Sequence, residues 1–244
     1  MKTGSPDAGV AKRQPAGIRV LVLDDHPLFR EALATRIALE PGVTECREAA
    51  TVQETRQLLS ESSFSALVAD LSLGDGTGLE LIRRLRAEGH SLPVLVVSAL
   101  DDSLYGERAF RAGAQGFINK SESPARILEA LRTVLAGELH LSPAVGKAFA
   151  ISSARKSSEA TGIESLSDRE VQIFSLLGRG HGTREIAEQL FLSPHTVESH
   201  RERIRAKLGL RNSMALVQRA VQWSLEEVGM LRGQRAGDAL PDAE

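Results

Sequence analysis

Between residues 18 and 136, five short apolar runs alternate with five stretches of helical periodicity, and few folds accommodate that alternation. Residues 18–23 (IRVLVL) are apolar almost throughout and end in Asp24-Asp25. Such a run suits a strand buried on both faces of a parallel sheet, whereas a strand with one wet face alternates. Further strands are predicted over 44–49, 66–71 (ALVADL), 93–99 (PVLVVSA) and 116–119 (GFIN). Leu28, Leu33 and Ile37 recur at helical spacing until Pro41-Gly42 stops the pattern, and helices are predicted over 52–61, 78–88, 102–112 and 124–136. Five β/α units over 18–136 predict an α/β fold with a doubly wound, five-stranded parallel sheet. In such sheets, ligands sit outside the carboxyl ends of the strands, near the point where strand order reverses.

Beyond residue 136 the pattern changes. Residues 137–162 read as a linker with room for one short helix over 143–150, and 152–162 (SSARKSSEATG) is small and polar. From 163 to 227 the signal is helical only. Residues 228–244 are expected to be a disordered tail and residues 1–17 a disordered leader, since the latter hold no apolar signal-peptide core. A net charge of −2 argues against a wholly basic nucleic-acid binder, yet it hides an asymmetry. Residues 18–136 carry 13 Lys/Arg against 17 Asp/Glu, and residues 163–224 carry 9 against 7, so the two parts suit different partners. With 42% hydrophobic residues there is material for real cores. The single Cys46 excludes an internal disulfide and a CxxC metal site. No apolar run approaches the ~18–20 residues that span a bilayer, and a cytoplasmic protein without membrane attachment is expected.

Three carboxylates fall at the carboxyl ends of predicted strands: Asp24 and Asp25 after the first, Asp70 in the third. Strand ends converge, so all three can share a crevice, where like charges repel unless a cation neutralises them. Hard oxygen ligands of this kind suit Mg²⁺, and a carboxylate beside that ion can attack a phosphoryl group in line. Ser98 ends the fourth strand with a hydroxyl and Lys120 the fifth with a point charge, each placed for a phosphoryl oxygen.

The segments DDHPLFREAL, DLSLGDGTGLEL, SALDD and RAGAQGFINK resemble, in order and spacing, the blocks of a two-component receiver domain, a flavodoxin-like fold, over residues 18–136. The resemblance implies that Asp70 is the phospho-acceptor, phosphorylated by a sensor histidine kinase. It implies that Asp25, Asp70 and the Ser72 carbonyl hold Mg²⁺, with Asp24 assisting through water. Ser98 and Phe117 match the switch hydroxyl and switch aromatic, Phe117 turning inward on phosphorylation, and the small Ala99 leaves a path to the acceptor. Three residues depart from the pattern. Gly74 stands where Pro is usual, which predicts a more mobile loop; Phe117 replaces the commoner Tyr; and Leu100 cannot orient an attacking water, which predicts a persistent phosphoryl group.

In the last third, Ser167-Asp168-Arg169-Glu170 has the form of a capping box opening a helix to about Leu177. A second short helix is predicted over 183–189, with Ile186, Ala187 and Leu190 inward. Ser193-Pro194 supplies an N-cap and a first-turn Pro for a third helix, 194–208, that buries Val197, Ile204 and Leu208. Two helices joined by a short turn, the second displaying basic and hydrogen-bonding residues, fit an all-α helix-turn-helix domain. The stretch from LSDREVQIF to KLGLRN resembles a LuxR-type helix-turn-helix over residues 163–224, and the order of the two parts resembles the NarL/FixJ class of response regulators. Arg201, Arg203 and Lys207 are candidates for phosphate contact, while Glu198 and Ser199 are placed to reach base edges. Thr183, Arg184, His195, Thr196 and Glu202 complete the candidate DNA-facing set, and His195 and His200 read as packed or phosphate-facing rather than metal-bound. Asn212 is placed to cap a last helix, 213–227, whose Leu216, Ala220 and Trp223 serve either dimerisation, as in the family, or closure of the bundle. The expected protein is a phosphorylation-controlled transcriptional regulator, not an enzyme, that binds double-stranded DNA as a homodimer. Two other readings stay open on the residues alone: a constitutive DNA-binding regulator with a scaffold receiver, and an Mg-dependent aspartate-nucleophile phosphatase. Against the latter, Ser72 stands where such enzymes place a second acid.

Overall fold

The apolar runs pair side by side. In the computed structural model, which describes residues 17–74, 76–100, 102–142, 145–146 and 162–237, the chain divides into two compact units, residues 1–148 and 149–244. The first unit contains strands β1 (Ile18–Leu23), β2 (Val43–Ala49), β3 (Ala66–Ala69), β4 (Ser72–Leu73), β5 (Gly76–Thr77), β6 (Val94–Ser98) and β7 (Gly116–Asn119). Its helices are α1 (Pro27–Ala38), α2 (Val52–Glu61), α3 (Gly78–Ala87), α4 (Asp102–Ala112) and α5 (Pro124–Leu135). Five strands form one parallel sheet in the order β2-β1-β3-β6-β7. The order reverses between β1 and β3, which makes their carboxyl ends the expected ligand crevice.

Side-chain alternation divides the sheet. Val20, Val22, Val68, Leu95, Val97 and Ile118 pack on one face with Leu33, Ala34 and Ile37 of α1 and Ile127, Leu131 and Val134 of α5. The alternate residues Leu21, Leu23, Leu67, Val94, Val96 and Phe117 point the other way and are also buried, as are Leu79, Ile82 and Leu85 of α3 and Tyr105 and Ala109 of α4. Helix starts follow local chemistry. Thr51, Thr77 and Ser123 accept from the backbone N–H of the third helical residue at α2, α3 and α5, and Pro124 opens α5.

Several expectations need correction. The third strand ends at Ala69, not at 71, because Asp70 turns its own carboxylate onto the Leu71 N–H at 2.7 Å and breaks the ladder. Leu28 is 85% exposed: it lies five residues before Leu33 and falls off the buried stripe of Leu33, Ala34 and Ile37. The antiparallel pair β4–β5 was not predicted, since two residues are too few to show a period. Of the short helix expected over 143–150, only Val145 and Gly146 are described, both helical. The leader through residue 16 and linker residues 147–161 lie outside the described residues.

Among its described residues, the second unit comprises a 3₁₀ turn at Ile163–Ser165 and helices α6 (Asp168–Gly178), α7 (Thr183–Gln189), α8 (Pro194–Lys207) and α9 (Ser213–Gly237). Ser167 and Glu170 form the expected capping box. Val171, Phe174, Leu177, Ile186, Leu190, Val197 and Ile204 are buried, while Leu208 is only half-buried because α8 ends beside it. Leu216, Ala220 and Trp223 are buried too, and Trp223 meets Phe174 with ring centroids 5.5 Å apart. That stripe of α9 therefore closes the bundle. A Cβ on Gly178 would lie 2.5 Å from the Ala220 carbonyl oxygen, so a glycine is what lets α6 and α9 approach this closely. Helix α9 also continues past the end expected at 227, through ten residues assigned to a disordered tail. Leu231, Arg232, Gln234, Arg235 and Ala236 are good helix formers, and an isolated glycine costs about 1 kcal/mol without stopping a helix.

Candidate functional site

The register of β1 and β3 brings the acids together. Leu23 pairs with Ala69, so Asp24 and Asp70, each the next residue, emerge side by side. Lys120 follows Asn119, which pairs with Ser98 at the end of β6, and the Lys120 N–H bonds the Ser98 carbonyl at 2.9 Å. Its ammonium lies 2.6 Å from Asp24 Oδ2 and 2.8 Å from Asp70 Oδ2, over the Phe29 ring at 4.7 Å. Asp24 and Asp70 are buried. Burial pushes the Asp70 carboxyl above its ordinary pKa with help from the Asp24 charge, against the pull of Lys120. Burial alone would lower Lys120, but Asp70 and Asp24 hold it above its usual value and keep it charged.

Asp24, Asp25, His26 and Asp70 offer ligand atoms within 4.8 Å of one another. Asp25 Oδ1 is shielded from solvent and makes no hydrogen bond, and His26 Nδ1 stands 2.8 Å away. A carboxylate oxygen without a hydrogen bond, among three acids answered by one lysine, leaves a coordination position for a cation. The donor set of hard oxygens fits Mg²⁺. Ser72 lies in β4 with its backbone N–H toward Asp70, and Gly74 occupies the turn between β4 and β5.

Ser98 is fully buried, and its hydroxyl accepts from the Leu100 N–H at 3.3 Å. Phe117 is on the same sheet face and wholly buried, so it already holds the inward position that the family resemblance associates with phosphorylation. Ala99 is exposed, and no bulky side chain at that position covers the acids. Three contributors escaped sequence reasoning. His26 and Phe29 carried only their nearness to Asp25 as a signal. Gly78 carried none: a Cβ there would stand 2.2 Å from the Asp70 carbonyl oxygen.

In the second unit the candidate DNA-facing residues separate into two groups. Arg184, His195 and Arg203 are exposed, and neither arginine has an ion-pair partner among the described residues. Arg211, which sequence reasoning passed over, shares that state. The others have partners inside the unit. Lys207 pairs with Glu170 at 2.6 Å, Glu202 with Arg205 at 3.1 Å, and Arg201 with Glu198 at 3.0 Å. Thr183 donates to Glu198 at 2.6 Å, Thr196 bonds the capping Ser193, and the Ser199 hydroxyl donates to the His195 carbonyl. His200 falls below its ordinary pKa through burial and the Arg203 charge.

A flavodoxin-like sheet with an acid–lysine cluster at its switch point, followed by a helical unit containing a helix-turn-helix, defines a receiver-plus-output class of protein. Residues 20–132 match the response regulator receiver domain family, and residues 164–220 match the bacterial regulatory proteins of the luxR family. The chain is 32% identical to the transcriptional regulatory protein UhpA of Escherichia coli, over 83% of this chain and 97% of UhpA. It is 30% identical to the response regulator GacA of Pseudomonas aeruginosa, over 84% of this chain and 96% of GacA. Among solved structures, RcsB of Salmonella enterica serovar Typhimurium, bound to a promoter in the presence of a phosphomimetic, is similar in fold. Its TM-score is 0.56 at 23% identity, covering 83% of this chain and 97% of that one. The chain belongs to the two-component response regulators of the NarL/FixJ class, with a receiver domain and a LuxR-type DNA-binding domain for transcription regulation. No helix among the described residues is long and apolar enough to cross a membrane.

Proposed function

We propose that Asp70 accepts a phosphoryl group from a sensor histidine kinase and that this modification controls DNA binding by the second domain. The observation that carries the reading is the placement of Lys120 between Asp24 and Asp70, with Asp25 Oδ1 beside them making no hydrogen bond. Attack by an Asp70 oxygen forms a P–O bond as the bond from phosphorus to the kinase histidine breaks. Lys120 is placed to neutralise one oxygen of the transferred group, and the Ser98 hydroxyl to donate to another after leaving the Leu100 N–H. Mg²⁺, held by Asp25, Asp70 and the Ser72 carbonyl with Asp24 through water, would absorb charge on the transferring oxygens. Leu100 brings no polar group that could orient water toward the acyl phosphate, so the phosphoryl group should persist for minutes to hours. Radiolabel decay within seconds would contradict this.

On the DNA side, Arg184, Arg203 and Arg211, which have no ion-pair partner among the described residues, are placed to meet phosphates, with α8 in the major groove. A homodimer in the cytoplasm, on two half-sites of double-stranded DNA, is the expected working form. Its contact is assigned to Met214, Val221 and Leu225, exposed apolar residues along the face of α9 that the bundle leaves open. The test is selection from random duplexes by the full chain, with and without acetyl phosphate and Mg²⁺. A two-half-site sequence enriched more strongly after phosphorylation supports the reading; equal enrichment in both conditions favours a constitutive binder.

A further inference from the structure

Glu198 is the fifth residue of α8, the helix that a helix-turn-helix lays in the major groove. A carboxylate there faces the repulsion of nearby phosphates, yet the structure holds it in place. Thr183, the first residue of α7, donates its hydroxyl proton to Glu198 Oε1 at 2.6 Å. Arg201 Nη1 donates to the same oxygen at 3.0 Å and also to the Thr183 hydroxyl oxygen. The hydroxyl has one proton and gives it to the acid, so it can receive the arginine only on a lone pair, and the three groups close a consistent ring of donors and acceptors.

The consequence for Glu198 is directional. Oε1 is engaged by two donors, while Oε2 has no hydrogen-bond partner among the described residues. The Glu198 side chain is 50% exposed and that of Arg201 only 15%. Arg201 is thus turned into the domain, and on the half-exposed Glu198 side chain Oε2 is the oxygen left without a hydrogen bond. An ionised carboxylate accepts and cannot donate. In the major groove, amino groups are presented by cytosine at N4 and by adenine at N6, and adenine sets its N7 acceptor beside that amino group. That lone pair repels a carboxylate; cytosine presents no such neighbour on its own edge.

We propose that Glu198 reads a cytosine in each half-site, and that Thr183 and Arg201 are positioning residues that aim its carboxylate. The inference rests on the reading of α8 as the recognition helix. It assigns Arg201 to specificity rather than to phosphate contact, so Arg201 contributes little to the salt dependence of binding.

The test is base selection from random duplexes by the full chain in wild-type, E198A, E198Q, R201Q and R201K forms, with thermal melting as the check on folding. The wild type should enrich cytosine at one position per half-site. E198A should lose that enrichment by about ten-fold at that position only, since one good base contact supplies roughly such a factor. R201Q should blur the same position without a matching loss of melting temperature, and R201K, which restores a cation beside Glu198, should recover part of it. E198Q keeps the shape but puts a donor where Oε2 was, and should exchange cytosine for a base that presents an acceptor. If E198A does not fold, E198Q carries the test. Unchanged base preference in E198A or E198Q overturns the inference while leaving DNA binding intact. A wild-type chain that enriches no sequence overturns the DNA-binding reading, and the inference falls with it.

Discussion

Gly78 shows how a residue without a functional group shapes the acid cluster. A Cβ there would meet the Asp70 carbonyl oxygen at 2.2 Å and the Leu71 Cα at 3.0 Å, both backbone atoms that cannot rotate away. Gly78→Ala should therefore push Asp70 from its place, costing about 1–3 kcal/mol as an overpacking change. Urea unfolding would measure the loss, and acetyl phosphate labelling should slow in the same variant; unchanged labelling would separate Gly78 from the site. The acids themselves were readable from sequence because parallel strands end together, and residues after apolar runs share one edge of the sheet. Lys120 was readable for the same reason. The Gly78 contact depends on how closely α3 approaches β3, and no pattern of residue types records that distance. His26 and Phe29 belong to the same class, since each acts through a contact that forms only when α1 is docked.

At the scale of elements, α6 and the turn before α8 make separate predictions. Glu170 accepts from the Ser167 N–H at 2.7 Å and from Lys207 at 2.6 Å, so one carboxylate both caps α6 and ties it to α8. Burial opposes its charge, but Lys207 and Ser167 outweigh that and hold the carboxyl below its ordinary pKa. A lowered folded pKa means stability that is present above the ordinary glutamate value and is lost as pH falls through the lowered one. Glu170→Gln should flatten this acid limb in melts recorded against pH, and cost about 1–2 kcal/mol at neutral pH through the weakened cap and ion pair. An unchanged acid limb would show that the pair is not retained in solution. Phe191, in the turn between α7 and α8, has φ 51° and is 70% exposed. A bulky residue in the left-handed region is strained by about 1–2 kcal/mol, and little packing offsets it here. Phe191→Gly should thus raise the melting midpoint slightly; a fall would mean the ring makes contacts that outweigh its strain. Elements buried on both faces were the readable ones. The β4–β5 pair is too short for a period, α9 outran its expected end because glycine weakens a helix without stopping it, and the bonds from Arg201 to Thr183 and from Lys207 to Glu170 reach other helices, where no spacing rule applies.

Across the whole molecule, an acidic receiver and a mildly basic helix-turn-helix domain divide chemistry from recognition. On the proposed function, one carboxylate in the first controls the second. Neither Ser98 nor Phe117 lies at the surface; on the proposed reading a change at Asp70 would reach them through the paired strands β6 and β7, which pair Ser98 with Asn119 and Val96 with Phe117. The most direct test is the affinity of the full chain for its selected duplex, titrated with and without acetyl phosphate and Mg²⁺, in wild type and in Asp70→Asn. Phosphorylation should tighten wild-type binding at least about ten-fold, a coupling of roughly 1.4 kcal/mol, and Asp70→Asn should bind equally in both conditions. Equal wild-type affinity with and without the phosphoryl donor, when labelling of Asp70 is complete, would contradict it.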